Sequence, residues 1–283
     1  MKHPFLLLLF LFTSCAHIKK LELPSELNEA SGLVYYKNML ISINDSDNPP
    51  LVYFISDKGE LKHQVYIQNA INWDWEALAI EGNYLYIGDF GNNLNNREDL
   101  RIFQVALDNI LEKDTVEAKT IHFSYSEQTE FPPTKANLYY DAEAMIIQNE
   151  RIYIFTKNRT EPFDGISKVY SFPLKEGEHV AQFEYNLHLP STNWHEESIT
   201  DAFLHDENLY LLTYSKIYIL YQSADNKWVI QSSVQHKEFT QKEGIAVTEK
   251  GVYVVDEVSS SPFDPNPEDR NFLYRYRKSL FKQ

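Results

Sequence analysis

Short apolar runs separated by polar turns fill the chain, and no long stretch keeps the 3.6-residue period of an amphipathic helix. The segment from Leu107 to Lys119 comes nearest and reads as a loop or a single turn. Five of the runs begin alike, with a glutamate, a small residue and a short apolar stretch. They are Glu29-Ala-Ser-Gly-Leu, Glu76-Ala-Leu-Ala-Ile, Glu143-Ala-Met-Ile-Ile, Glu197-Ser-Ile-Thr-Asp and Glu243-Gly-Ile-Ala-Val. After a polar turn each meets a second strand-like run: Leu40–Ile43, Leu85–Gly88, Ile152–Phe155, Leu209–Leu212 and Val252–Val255.

A strand pair recurring every 46 to 67 residues marks a repeat architecture, and strand-only units of that length predict an all-β fold, a β-propeller. Third and fourth strands follow the pair: Leu100–Val105 and Thr120–Tyr125 in the second unit, Lys168–Phe172 and Gln182–Leu187 in the third, Ile217–Gln222 and Trp228–Val234 in the fourth. The fifth unit has Phe272–Tyr276 as its third strand and then lacks an outer one. The alternating segment Ile18–Leu23 belongs to no unit of its own. As the outer strand of the last blade it closes the ring and removes an exposed edge. The expectation is a five-bladed propeller closed by an N-terminal strand, with residues 21–283 as one domain. Six blades is the alternative, requiring a further unit within Asp108–Tyr140 or Ser259–Asp269, and neither carries the glutamate.

The start of the chain has a different character. Lys2 and His3 precede an unbroken apolar run from Phe5 to Phe12, too short to span a bilayer and suited to the core of a signal peptide. Phe12-Thr-Ser-Cys15 resembles a bacterial lipobox, with phenylalanine where leucine is usual. Residues 1–14 are therefore read as a lipoprotein signal, and residues 15–20 as the lipidated Cys15 and its tether. Cys15 is the only cysteine, so no disulfide can form within the chain. This places the protein in the bacterial cell envelope as an outer-membrane lipoprotein, a monomer held to the membrane by its anchor.

The formal charge is −15, and loss of the signal with its one lysine takes it to −16. Such a field repels nucleic acid and anionic lipid, and nucleic-acid binding is set aside. Aromatic residues make up 14% of the chain, in keeping with half-buried strands.

Radial units would bring Glu29, Glu76, Glu143, Glu197 and Glu243 to one face around the axis. Asp89, Asp256 and Asn44, at the ends of second strands, would stand close by. Carboxylates crowded on an axis repel and call for positive charge. A divalent ion supplies it most simply. An oxygen-only donor set without clustered His or Cys selects a hard cation, and Ca2+ tolerates irregular coordination. The alternative counter-charge is water together with Lys157, Arg159, Lys216 or Lys242. Each glutamate taken singly reads first as capping a turn or pairing with a neighbouring blade, and only the five together point to the axis.

Other motifs add less. There is no Gly-x-Ser-x-Gly elbow and no Gly-x-x-x-x-Gly-Lys loop. His195-Glu-Glu-Ser lacks the second histidine of a zinc motif. The oxygen-rich Asn44–Asn48 segment runs into Pro49-Pro50 and reads as a turn. Trp73, Trp75 and Trp194 precede two of the glutamates and are read as packing between blades.

Glu76-Ala-Leu-Ala-Ile-Glu-Gly-Asn-Tyr-Leu-Tyr-Ile-Gly-Asp89 resembles the calcium-activated nucleotidases, the five-bladed apyrases, and phytase-like propellers share such short motifs. The whole chain is also similar in type to propeller lipoproteins of Bacteroidetes-type bacteria. The last copy departs from the second: Lys242 precedes Glu243 where Trp75 precedes Glu76. The nucleotidase resemblance implies one Ca2+ near the axis and hydrolysis of a phosphorylated compound.

Two roles then stand side by side. In one, a Ca2+-dependent hydrolase acts on a small phosphorylated substrate: Asp45 or Asp89 positions water and Lys157 or Arg159 stabilises developing charge. In the other, a non-catalytic envelope propeller uses its ion for rigidity and binds a partner on one face. A glycoside hydrolase ranks behind both, because a near-symmetric ring lacks the two distinct carboxylates that mechanism needs. Replacing Cys15 by alanine is expected to move the protein from the membrane to the soluble fraction; unchanged membrane association on fractionation would remove the anchor.

Overall fold

The computed structural model describes residues 18–190, 193–258 and 271–281. The expected signal peptide and Cys15 lie outside the described residues, as does the whole of Ser259–Asp269. Strand β1 (Ile18–Glu22) comes first. Then come β2 (Ala30–Tyr36), β3 (Met39–Asn44), β4 (Leu51–Ile55) and β5 (Leu61–Ile67). Next are β6 (Trp75–Glu81), β7 (Tyr84–Asp89), β8 (Arg101–Ala106), β9 (Thr115–Val116) and β10 (Lys119–Tyr125). The third unit is β11 (Asp141–Gln148), β12 (Arg151–Lys157), β13 (Ile166–Pro173) and β14 (Gly177–His188). After the one-turn helix α1 (Trp194–Glu197) run β15 (Ile199–His205), β16 (Asn208–Thr213), β17 (Lys216–Gln222) and β18 (Trp228–Gln235). The last are β19 (Lys242–Thr248), β20 (Gly251–Asp256) and β21 (Phe272–Tyr276).

Four units pair as antiparallel meanders in chain order, β9 standing aside from the second, and the last, β19-β20-β21, takes β1 as its outer strand. Leu21 lies opposite Leu273 in that closing pair. The Leu107–Lys119 segment contributes one short turn, and its β9 adds in parallel to the outer edge of β5. The outer strands β10 and β14 also pair in parallel, from Ile121 opposite Gly177 to Tyr125 opposite Ala181, joining two units into an eight-stranded sheet. Such pairings cover edges that would otherwise template aggregation.

Burial follows the hydrophobic pattern. Inner and second strands are almost continuously buried, whereas the outer β5, β10 and β18 alternate. The apolar side chains fall into five clusters among the described residues, each shared between successive units. The fifth, around Leu27, Leu33, Tyr253 and Leu273, joins the last unit to the first and closes the circle.

Every inner strand carries a β-bulge near its start. The skipped residues are Gly32, Glu76, Glu143, Thr200 and Glu243. A bulge re-aims a side chain and tightens the twist, so these five positions share one structural role near the axis. Polar links tie the units together there. Ser31 Oγ donates to the Glu76 carbonyl at 2.9 Å, Thr200 Oγ1 to the Lys242 carbonyl at 2.5 Å, and Asp201 accepts from the Ile245 amide at 2.8 Å.

His236 fastens the seam between the fourth and fifth units. Tyr276 donates its hydroxyl to Nδ1 at 2.6 Å, and Nε2–H donates to the Thr213 carbonyl at 3.2 Å, an arrangement that requires neutral imidazole. Burial, reinforced by nearby Lys242, lowers the His236 pKa to about 3. A base depressed in the folded state favours folding fully above its unfolded pKa near 6.5. As pH falls from there towards 3, the unfolded chain takes up the proton and stability is lost at up to about 1.4 kcal/mol per pH unit. Denaturant melts from pH 7 to 4 are expected to fall more steeply for the wild type than for His236→Gln. Parallel pH profiles would show that His236 does not set the acid limit.

Candidate functional site

At the end of the ring where inner strands start and second strands finish lies a cavity of about 400 Å3. Its floor is acidic, with Asp45, Glu76, Glu143, Glu243 and Glu257, and its inner wall carries Lys157 and Arg159. Trp194, His195, Tyr214 and Phe239 form one side of the mouth. Trp194 and Tyr214 meet edge-on at 6.0 Å, as do Tyr214 and Phe239 at 6.5 Å.

The acidic floor has two differently treated parts. On one side Glu143 Oε1 accepts from Lys157 Nζ at 3.0 Å and Arg159 Nη2 at 3.4 Å, while Arg159 Nε pairs with Asp141 at 2.6 Å. Burial works against the Lys157 charge, but Glu143 and the Tyr214 ring beside it outweigh that and hold its pKa above the ordinary lysine value. Glu143 therefore has its counter-charge inside the protein.

On the other side Asp45, Asp74 and Glu76 bring carboxylate oxygens within 4.8 Å of one another. Asn72 builds this corner: its amide donates to the carbonyls of Asn44 and Asp45 at 2.9 and 2.8 Å, and its oxygen accepts from the Trp75 amide at 3.1 Å. The loop carrying Asp45 is thus pinned against the bend that carries Asp74 into β6, the strand that bears Glu76. The Glu76 bulge turns its carboxylate into the cavity, where it is only 6% exposed and makes no hydrogen bond or ion pair among the described residues. Burial pushes all three pKa values up, Asp74 to about 8; the Asp45 charge adds to the rise at Asp74, and those of Glu143, Asp45 and Asp74 add to the rise at Glu76.

Gly91 makes this corner possible. A Cβ there would stand 2.4 Å from Glu76 Oε1 and 2.5 Å from the Asp74 carboxyl. Three carboxylates converge in a space that a side chain would fill, and one of them has no partner among the described residues. A hard cation fits that donor set.

Several expected site residues sit elsewhere. Glu29 and Glu197 lie three positions before their bulges, and Gly32 and Thr200 take the places equivalent to Glu76. Glu29 bonds Asn48. Glu197, on α1, is buried away from the cavity and held by Lys216 at 2.9 Å and Tyr218 at 2.5 Å. Asp89 also faces away, clamped by Arg97 and Arg101 at 3.1 and 2.8 Å and accepting the Asp74 amide at 3.1 Å; its role is to hold that loop. Asp256 is taken up by Lys242, Thr240 and Tyr274, and Asn44 donates to the Glu26 carbonyl. Asp45, Lys157 and Arg159 do reach the cavity. Trp75 is core and Trp73 is 58% exposed, but Trp194 lines the mouth rather than merely packing.

Asp74 and Glu257 were missed in the repeat pattern, since neither occupies the shared glutamate position. Asp74 lies two residues before Glu76 in Trp73-Asp-Trp-Glu76, in the bend that leads into β6, and that close acidic spacing was the available clue.

No family model matches the chain, and no curated protein matches it. Among solved structures, glutaminyl cyclase of Myxococcus xanthus superposes with a TM-score of 0.53 at 10% identity, over 92% of this chain and 94% of that one. The fold is a β-propeller. The PQQ-bound aldose sugar dehydrogenase of Streptomyces coelicolor gives 0.49 at 8% identity, covering 91% and 98% of the two chains. A luciferin-regenerating enzyme gives 0.48 at 11%, covering 92% and 95%. At such identities the likeness is one of fold, and chemistry must be argued from the cavity.

Gly91→Ala is expected to push the Asp74 and Glu76 carboxylates apart and weaken calcium binding at least about tenfold, with the circular dichroism unchanged. Wild-type affinity in this variant would show that the three oxygens do not act together.

Proposed function

We propose that the protein is an exported, lipid-anchored propeller whose axial cavity binds Ca2+ and uses it to hydrolyse a small phosphorylated substrate. The observation that carries this reading is the Asp45–Asp74–Glu76 corner, with the buried, unpartnered Glu76 carboxylate. Asp45, Asp74 and Glu76 would hold the ion, which when bound neutralises substrate charge and polarises the bond under attack. Lys157 and Arg159, fixed by Glu143 and Asp141, face the same space and would stabilise negative charge developing on the substrate. Glu257 and Glu243 stand opposite as candidate bases, the pKa of Glu257 raised by burial and by the neighbouring Glu243 charge.

Charge narrows the substrate. The floor has many more carboxylates than the two cationic side chains on the wall, so one divalent ion leaves the lining negative. A singly esterified phosphate suits this field better than a nucleoside triphosphate, and the aromatic mouth suits a substrate with a ring.

A phosphate-release screen over monoesters and nucleotides, run with calcium and with chelator, tests the reading. Turnover of a monoester that chelator and Glu76→Gln both abolish is expected. A calcium-dependent rise in melting temperature without turnover would instead favour a non-catalytic envelope module. Absence of any calcium effect would overturn both.

A further inference from the structure

The opposite face of the propeller carries a separate group of metal-ligand side chains. There the hairpin between β15 and β16 places His205 and Asp206 beside Glu249, from the hairpin between β19 and β20 of the next unit. His205 Nε2 lies 3.7 Å from Asp206 Oδ2 and 3.8 Å from Glu249 Oε1, and ligand atoms of all three fall within 4.8 Å of one another. That Nε2 atom is shielded from solvent and has no hydrogen-bond partner among the described residues.

We propose that His205, Asp206 and Glu249 form a zinc site that clasps the fourth and fifth units. Zinc bonds of about 2.0–2.1 Å set tetrahedral ligands roughly 3.4 Å apart, so the two separations from His205 need to close by only a few tenths of an ångström, and the two carboxylates by at most about 1.4 Å. Both carboxylates are exposed and sit on turns, where side-chain movement is cheap, and Asp206 adopts the left-handed conformation at φ 54°. One imidazole with two carboxylate oxygens is a borderline donor set that favours Zn2+ over Ca2+.

The surroundings already support such a site. Lys278, after the last strand, pairs with Glu249 Oε2 at 2.9 Å and leaves Oε1 turned towards His205. A positioned carboxylate of this kind is what an outer-shell partner provides at a metal centre. The group borders a groove of about 520 Å3 lined in part by Tyr35, Phe203 and Val247, which gives a route for the ion and room for a fourth ligand from water. Because the inner strands run from the cavity to these hairpins, the two sites stand at opposite ends of the same strands and can be tested apart.

The test is titration of the full chain with zinc alone, followed by calorimetry and by melting temperature. Wild-type protein is expected to bind one zinc with a melting shift that His205→Gln and Glu249→Gln remove. Lys278→Met should weaken binding by about tenfold. Cobalt in place of zinc should give the intense visible absorption of a tetrahedral site in the wild type and not in His205→Gln. The exposed positions of Asp206 and Glu249 make Asp206→Asn and Glu249→Gln safe for folding, so loss of binding in these variants is read directly. Equal zinc binding in all variants would mean an adventitious ion only, and no binding to the wild type would likewise overturn the proposal. Calcium responses at the axial cavity should be the same in all of them.

Discussion

The structure depends on how a ring of strands accommodates carboxylates buried near its axis. Bulges at equivalent places turn Glu76, Glu143 and Glu243 to one end, and loops add Asp45, Asp74 and Glu257. Like charges in a low-dielectric space either take up protons or gather positive charge. The fold does both. Glu143 is neutralised by Lys157 and Arg159, whereas Asp74 is pushed up to about 8 and Glu76 has no hydrogen-bond or ion-pair partner among the described residues. Such an arrangement costs stability and persists because the five apolar clusters between units hold the strands in place.

The internal cations change the expected balance. The five repeated glutamates, taken as equivalent, suggest one ion shared by a symmetric ring. In the folded chain the symmetry is broken: one blade carries its own lysine and arginine, two present glycine and threonine at the bulge, and the clustered Asp45, Asp74 and Glu76 oxygens come from the first two blades, with Glu243 and Glu257 of the last blade lining the same cavity. The functional asymmetry lies in these departures from the repeat rather than in the repeat itself.

The meander of strands, the closing role of Ile18–Glu22 and the hidden inner strands were legible, because burial alternates or runs continuously in ways that the apolar pattern records. The bulges were not. A bulge leaves no mark in polarity, and in the first and fourth units it falls at Gly32 and Thr200, so the glutamates that match Glu76 by motif, Glu29 and Glu197, lie three positions before it. Asp89 looked like a site residue from its spacing, yet Arg97 and Arg101, well along the chain, claim it. Lys157 and Arg159 were visible as bases after a strand, but their partner Glu143 could only be named once β11 and β12 were paired. The parallel pairing of β10 with β14 likewise depends on how neighbouring blades meet, which no local pattern encodes.

The most direct measurement is a crystal structure from calcium-containing solution, with anomalous differences collected to identify the ion. A peak coordinated by Asp45, Asp74 and Glu76 at about 2.3–2.6 Å is the result expected. Asp45 and Asp74 sharing a proton with no ion between them, and Glu76 bonded only to water, would contradict a cation-built site.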